Sequence, residues 1–204
     1  MPSVLADKVL EATAALVAVL SVAGLLVAAQ VEQSSEPTSR LLPMEFLKKG
    51  EPAPDFELID HHEQPIRLQD LRGTPIILTF FHTSCRDYCP LILKGRARLE
   101  ASARKVVGDA PFFLAITMDP ETDTPEVLRR YIETLGLDPE RLHLLTGQPE
   151  EVRRVLQAYH IHTIKGSDSD VITSHTMVAY AIDADGIIQQ VLVFNFGPSR
   201  LGPG

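Results

Sequence analysis

Residues 75–90 read PIILTFFHTSCRDYCP. The first half, Pro75 to Phe81, is an unbroken apolar run rich in β-branched and aromatic side chains, which suits a strand buried on both faces. The second half breaks that pattern with Cys85-Arg86-Asp87-Tyr88-Cys89, a C-x-x-x-C that contains both cysteines of the chain. From Leu91 to Val107 charged and apolar residues recur at helical spacing, and Gly108 closes the run. A buried strand feeding a cysteine loop that feeds a helix is the unit around which the remaining elements are arranged.

Upstream, EPAPDFELIDHHEQPIRLQDLRG at 51–73 has short alternating runs at 56–59 and 66–68 around a polar turn, and reads as a hairpin. Downstream, PFFLAITM at 111–118 is a second buried strand. Thr124 followed by Pro125 is a helix-start signal, a capping hydroxyl with proline at the first helical position, and it opens VLRRYIETLG. A short strand at 142–145, a helix at 149–159 and strands at 175–182 and 187–194 complete the order, the last two joined by Asp183-Ala184-Asp185-Gly186. Strand–helix–strand–helix–strands, with a hairpin before and after, predicts an α/β fold: a thioredoxin-like mixed sheet flanked by helices.

The first residues differ in kind. Ala12 to Ala29, ATAALVAVLSVAGLLVAA, carries no charge and is long enough to cross a bilayer as a helix. Residues 9–31 are therefore expected to be an N-terminal transmembrane helix or an uncleaved signal, after a short tail at 1–8. A cleaved signal ending at Val27-Ala28-Ala29 is the competing expectation. The polar VEQSSEPTSR that follows belongs to a linker over 32–50, with the globular domain at 51–197 and a flexible tail at 198–204. Either reading places the domain outside the cytoplasm, at the cell membrane and in bacterial terms periplasmic, where thiols meet an oxidising environment. Formal net charge is −8, and there is no Lys/Arg cluster, so nucleic acid is not an expected partner.

The spacing of Cys85 and Cys89 puts their sulfurs on one side of a helical turn, able to close a disulfide or to pinch one metal ion. Soft thiolates favour copper(I) and also zinc. Two thiolates leave a shell incomplete, and His175, opening the strand SHTMVAY, can approach them from the neighbouring strand. Taken alone, His175 reads as an ordinary strand histidine. His82 reads as a loop residue that could serve as an alternative donor, and His61-His62 as exposed turn residues. His160 and His162 would face opposite ways in a strand. Asp119 and Asp123 read as turn formers and as charge near a helix N-terminus. Arg86 and Tyr88 are candidates for partner contact and thiolate tuning.

Together TFFHTSCRDYCP at 79–90, ITMDPETDTPEVLRRY at 116–131 and SHTMVAYAIDADG at 174–186 resemble the Sco/SenC family, and the resemblance runs along most of residues 50–196. It implies copper, as Cu(I) or Cu(II), held by Cys85, Cys89 and His175. It implies delivery of that copper, or thiol reduction, during assembly of cytochrome c oxidase. The implied partners are an oxidase subunit or other copper acceptor and a thioredoxin-like reductant. The chain departs from the family at Arg86, where Pro is usual, at Ser174, where Asp is common, and in FGPSRLGPG at 196–204, whose glycines and prolines are not expected to form the usual C-terminal helix. The alternative is a thiol–disulfide oxidoreductase using Cys85 and Cys89 as its redox pair. A thiol peroxidase would have no use for His175.

Overall fold

The computed structural model describes residues 46–108, 111–165 and 172–194. The expected membrane segment at 9–31, most of the linker and the tail at 198–204 lie outside the described residues. Among the described residues no helix is long and apolar enough to cross a membrane.

The strands are β1 (Glu57–Asp60), β2 (Pro65–Arg67), β3 (Ile76–Phe81), β4 (Phe112–Thr117), β5 (His143–Thr146), β6 (Thr163–Lys165), β7 (Ile172–His175), β8 (Val178–Ile182) and β9 (Ile188–Val193). The α-helices are α1 (Tyr88–Lys94), α2 (Arg96–Val107), α3 (Pro125–Leu135) and α4 (Pro149–Ala158). A seven-stranded sheet has the order β2-β1-β5-β4-β3-β8-β9, and β6 and β7 form a separate two-stranded sheet. β3, β4 and β5 run parallel, while β1, β8 and β9 join antiparallel. This is a thioredoxin-like mixed α/β fold.

All six residues of β3 are buried. The pleat sends Leu78 and Phe80 to one face, where they meet Val152, Val155 and Leu156 of α4. Ile77 and Phe81 go to the other face, with Leu93 of α1, Ala103 and Val107 of α2, and Leu128 and Ile132 of α3. Helices on both faces explain why the strand needs no polar alternation. Thr79, the polar residue of the run, donates its hydroxyl to the Val178 carbonyl at 2.9 Å and so binds β3 to β8.

Three local expectations change. The predicted helix at 91–107 is two helices that meet at Gly95. A Cβ there would stand 2.9 Å from the Leu91 carbonyl oxygen, so only glycine lets the chain turn between α1 and α2. The predicted strand at 175–182 divides at Thr176-Met177: His175 ends β7, paired with Thr163 of β6, and β8 starts at Val178. The main-chain amide of Thr176 donates to the His162 carbonyl, which anchors the break. His61, expected to be exposed, is 1% exposed. Other signals act as read. Thr124 Oγ1 caps α3 by accepting from the Val127 amide, and Gly136 ends that helix in the left-handed region.

Parallel β3 and β4 end at the same edge of the sheet, the common position for a site in such sheets. Asp123 holds that edge together. It is fully buried, its carboxylate accepts the Thr83 amide at 3.2 Å, and it also accepts the hydroxyls of Thr83 and Thr117. Thr83 begins the cysteine loop and Thr117 ends β4, so one carboxylate fixes the loop to the sheet. Burial pushes the Asp123 carboxyl up, and the Thr117 and Thr83 donors pull it back. Asp123 is thus a buried clamp in the turn just before α3.

Two predictions follow from buried polar groups. Asp123→Ala strands three donors and is expected to lower unfolding free energy by about 3 kcal/mol in urea titration. His61 has no partner on either ring nitrogen and sits beside His62, His143 and the Asp60 carboxylate, with the Arg129 guanidinium on its own carbonyl. Burial first, then His62, pushes its imidazole down to about 4, against the pull of Asp60. A histidine held neutral in the fold but free to protonate when unfolded favours the unfolded chain below the unfolded value near 6.5. The penalty grows as pH falls and levels off below about 4, reaching about 3 kcal/mol. Relative to His61→Leu, the native chain should therefore lose about that much more stability between pH 7 and pH 4.

Candidate metal centre

Cys85 lies in the loop between β3 and α1, and Cys89 lies in the first turn of α1. The helix begins only at Tyr88, so the sulfurs converge through a loop folded back on the helix start and not along one helical turn, as the spacing alone suggests. The Cys89 amide points at Cys85 Sγ at 3.4 Å, and the Cys85 amide donates to the His82 carbonyl at 3.2 Å. Both thiols are free; Cys89 is fully buried and Cys85 half-buried.

His175 reaches the pair from β7, with Nε2 at 3.7 Å from Cys89 Sγ. Its Nδ1 lies 3.0 Å from the Thr176 carbonyl oxygen. A carbonyl only accepts, so Nδ1 carries the hydrogen, and in the neutral ring Nε2 is left with its lone pair toward the sulfurs. That is the tautomer a metal ligand needs, fixed by a main-chain partner.

His82 follows directly on β3 and is 3% exposed. The donor atoms of His82, Cys85, Cys89 and His175 all lie within 4.8 Å of one another. The structure thus brings the three sequence-predicted residues together and adds a fourth. The signal for His82 was its place three residues before Cys85, at the end of a strand buried on both faces. His160 and His162 take no part: His160 has a positive φ of 56°, and His162 is exposed.

The two sulfurs compete for charge. A hydrogen bond from the Cys89 thiol, helped by His82, holds the Cys85 thiol far below its ordinary value. The same hydrogen bond to Cys85, and then burial, push Cys89 up in return. The resting pair is therefore one thiolate sharing a proton with one thiol. A cation placed between the sulfurs would displace that proton. Two soft thiolates and borderline imidazole fit copper(I), with zinc the competing ion for the same donors. A cleft of about 390 Å³, lined by His82, Cys85, Arg86, Tyr88, His175 and Met177 among others, opens onto the donors. Arg86 and Asp87 are exposed at that cleft, while Cys89 is sealed beneath it.

This geometry has counterparts. The SCO1/SenC family model matches residues 47–201. The bovine (Bos taurus) protein SCO2 homolog, mitochondrial, is 32% identical over 137 residues, covering 65% of this chain and 50% of that protein. The chain thus spans about half the length of that relative. Among solved structures, Arabidopsis thaliana ScoI with copper bound matches at 26% identity and a TM-score of 0.61, over 71% of this chain and 89% of that one. Bradyrhizobium japonicum ScoI with copper bound matches at 28% identity and a TM-score of 0.59, over 71% and 90% of the two chains. With the family match running over residues 47–201 and including the cysteine loop, this chain belongs to the SCO1/SenC family.

Proposed function

We propose that the chain is a copper-binding metallochaperone in which Cys85, Cys89 and His175 hold the ion and pass it on during assembly of cytochrome c oxidase. The observation that carries this reading is the convergence of His175 on the two sulfurs, with Nε2 at 3.7 Å from Cys89 Sγ and the donor atoms of all three residues within 4.8 Å of one another. The copper-bound Sco structures it resembles support copper as the cargo. Transfer is a ligand exchange. An acceptor donor enters through the cleft, displaces the half-buried His175 or Cys85 first, and takes the ion as the fully buried Cys89 lets go last. Arg86 and Asp87, exposed at the mouth, are where an acceptor surface is met. The acceptor is an oxidase subunit or another copper protein. The apolar segment at 9–31 tethers the domain at 51–197 to the membrane through the linker at 32–50, on the extracytoplasmic side.

A second reading draws on the unequal exposure of the sulfurs. Cys85 thiolate, reachable from the cleft, can attack a partner disulfide, forming a mixed disulfide and releasing one partner thiolate. Cys89 then gives up its proton and displaces the second partner thiolate, leaving the partner reduced and Cys85–Cys89 oxidised. The two readings are coupled, because a disulfide cannot supply two thiolate ligands. Outside the cytoplasm the copper role therefore requires a thioredoxin-like reductant.

Copper(I) titration of the full chain against a chromophoric chelator tests the choice. The reduced chain is expected to take one equivalent and the oxidised chain none, and Cys85→Ser should abolish stoichiometric uptake. His175→Ala should weaken it by at least about tenfold, the least expected when a metal site loses even an orienting partner. Equal uptake by reduced and oxidised chain would sink the copper reading. No uptake together with rapid reduction of a test disulfide would make the chain an oxidoreductase.

A further inference from the structure

We infer that His82 is a fourth donor, so that the centre is a Cys2His2 set and not a three-ligand one. This rests on the copper reading of the site. His82 is 3% exposed, and its Nδ1 is buried with no hydrogen-bond partner. A buried ring nitrogen left unpaired requires an explanation, and the ring that carries it belongs to the donor cluster. One of its ring nitrogens lies within 4.8 Å of the donor atoms of Cys85, Cys89 and His175.

Ring geometry agrees. The His82 and His175 rings are 5.4 Å apart, centroid to centroid, at an interplanar angle of 86°. Two imidazoles on one ion at metal–nitrogen distances near 2 Å and a tetrahedral angle would have centroids roughly 5 Å apart. The rings therefore stand close to where a shared ion would put them, and the edge-to-face arrangement keeps them from clashing.

The fourth donor changes how the ion is held. His82, Cys85 and Cys89 come from one short segment, H-x-x-C-x-x-x-C, fixed to the sheet through Thr83 and Asp123. His175 comes from the separate β6–β7 sheet. An acceptor that displaces His175 would leave the ion three-coordinate on a single segment, with a buried imidazole still bound. Four donors of this kind also complete the tetrahedral shell that copper(I) and zinc(II) share.

Copper K-edge X-ray absorption on the reduced full chain, loaded with one equivalent of copper(I), reads the donors directly. The native chain is expected to show sulfur and two imidazoles around copper. His82→Ala, His82→Phe (which keeps a ring in the buried position) and His175→Ala should each show one imidazole. The double variant His82→Phe/His175→Ala should show none and bind copper at least about tenfold more weakly than either single variant. One imidazole in the native chain, unchanged in His82→Phe and absent in His175→Ala, would overturn the role of His82 and leave the Cys85–Cys89–His175 site standing. No sulfur around copper in the native chain would overturn the copper reading itself.

Discussion

Two sulfurs held within 4.8 Å of each other cannot both stay ionised without a cation between them. In this chain the conflict is settled by one proton, with Cys85 as thiolate and Cys89 as thiol. The surrounding fold keeps the sulfurs in that confrontation. β3 delivers the chain to the edge of the sheet, the loop at 82–87 turns back, and Cys89 is buried against Leu93 and Phe81 in the helical layer. A metal ion relieves the conflict better than a proton does, because it neutralises both charges at once and accepts both lone pairs. The site is thus electrostatically prepared for a thiophilic cation before one arrives.

The preparation depends on residues far apart in sequence. Asp123, after β4, fixes the start of the cysteine loop through Thr83. The Thr176 carbonyl sets the His175 tautomer, and Thr176 itself is fastened to His162 through its amide. β8, paired with β3 from Ile76–Ile182 to Thr79–Ala179, brings the end of β7 back to the cysteines. A thioredoxin-like sheet therefore does more here than display a cysteine pair: the separate β6–β7 sheet brings His175 to the loop and supplies an imidazole.

Much of this was legible in the sequence, and the reason differs from element to element. The apolar run at 75–81 announced a strand with helices on both faces, and the Thr124-Pro125 start and the Asp-Gly turn at 185–186 are local signals that tertiary context did not override. Cys85, Cys89 and His175 were reachable as a set because the cysteine spacing and the strand order point at each other, and the family resemblance joined them. What was not legible depended on packing. Gly95 looks like any helix-interior glycine until the Leu91 carbonyl is placed above it. The division of β7 from β8 goes with a hydrogen bond to His162, the residue just before β6. Asp123, His61 and His82 are polar letters in turn-like contexts, and only the folded chain makes them buried. Burial of polar side chains is a tertiary property, and hydrophobic periodicity carries no record of it.

The central claim is that copper is held between the two sulfurs and the imidazole of β7. Anomalous diffraction at the copper edge, on crystals grown from the reduced, copper(I)-loaded chain, tests it most directly. The account predicts a single strong peak bonded to Cys85 Sγ, Cys89 Sγ and His175 Nε2. A Cys85–Cys89 disulfide with copper lodged on other residues, or a peak that misses either sulfur, would contradict it.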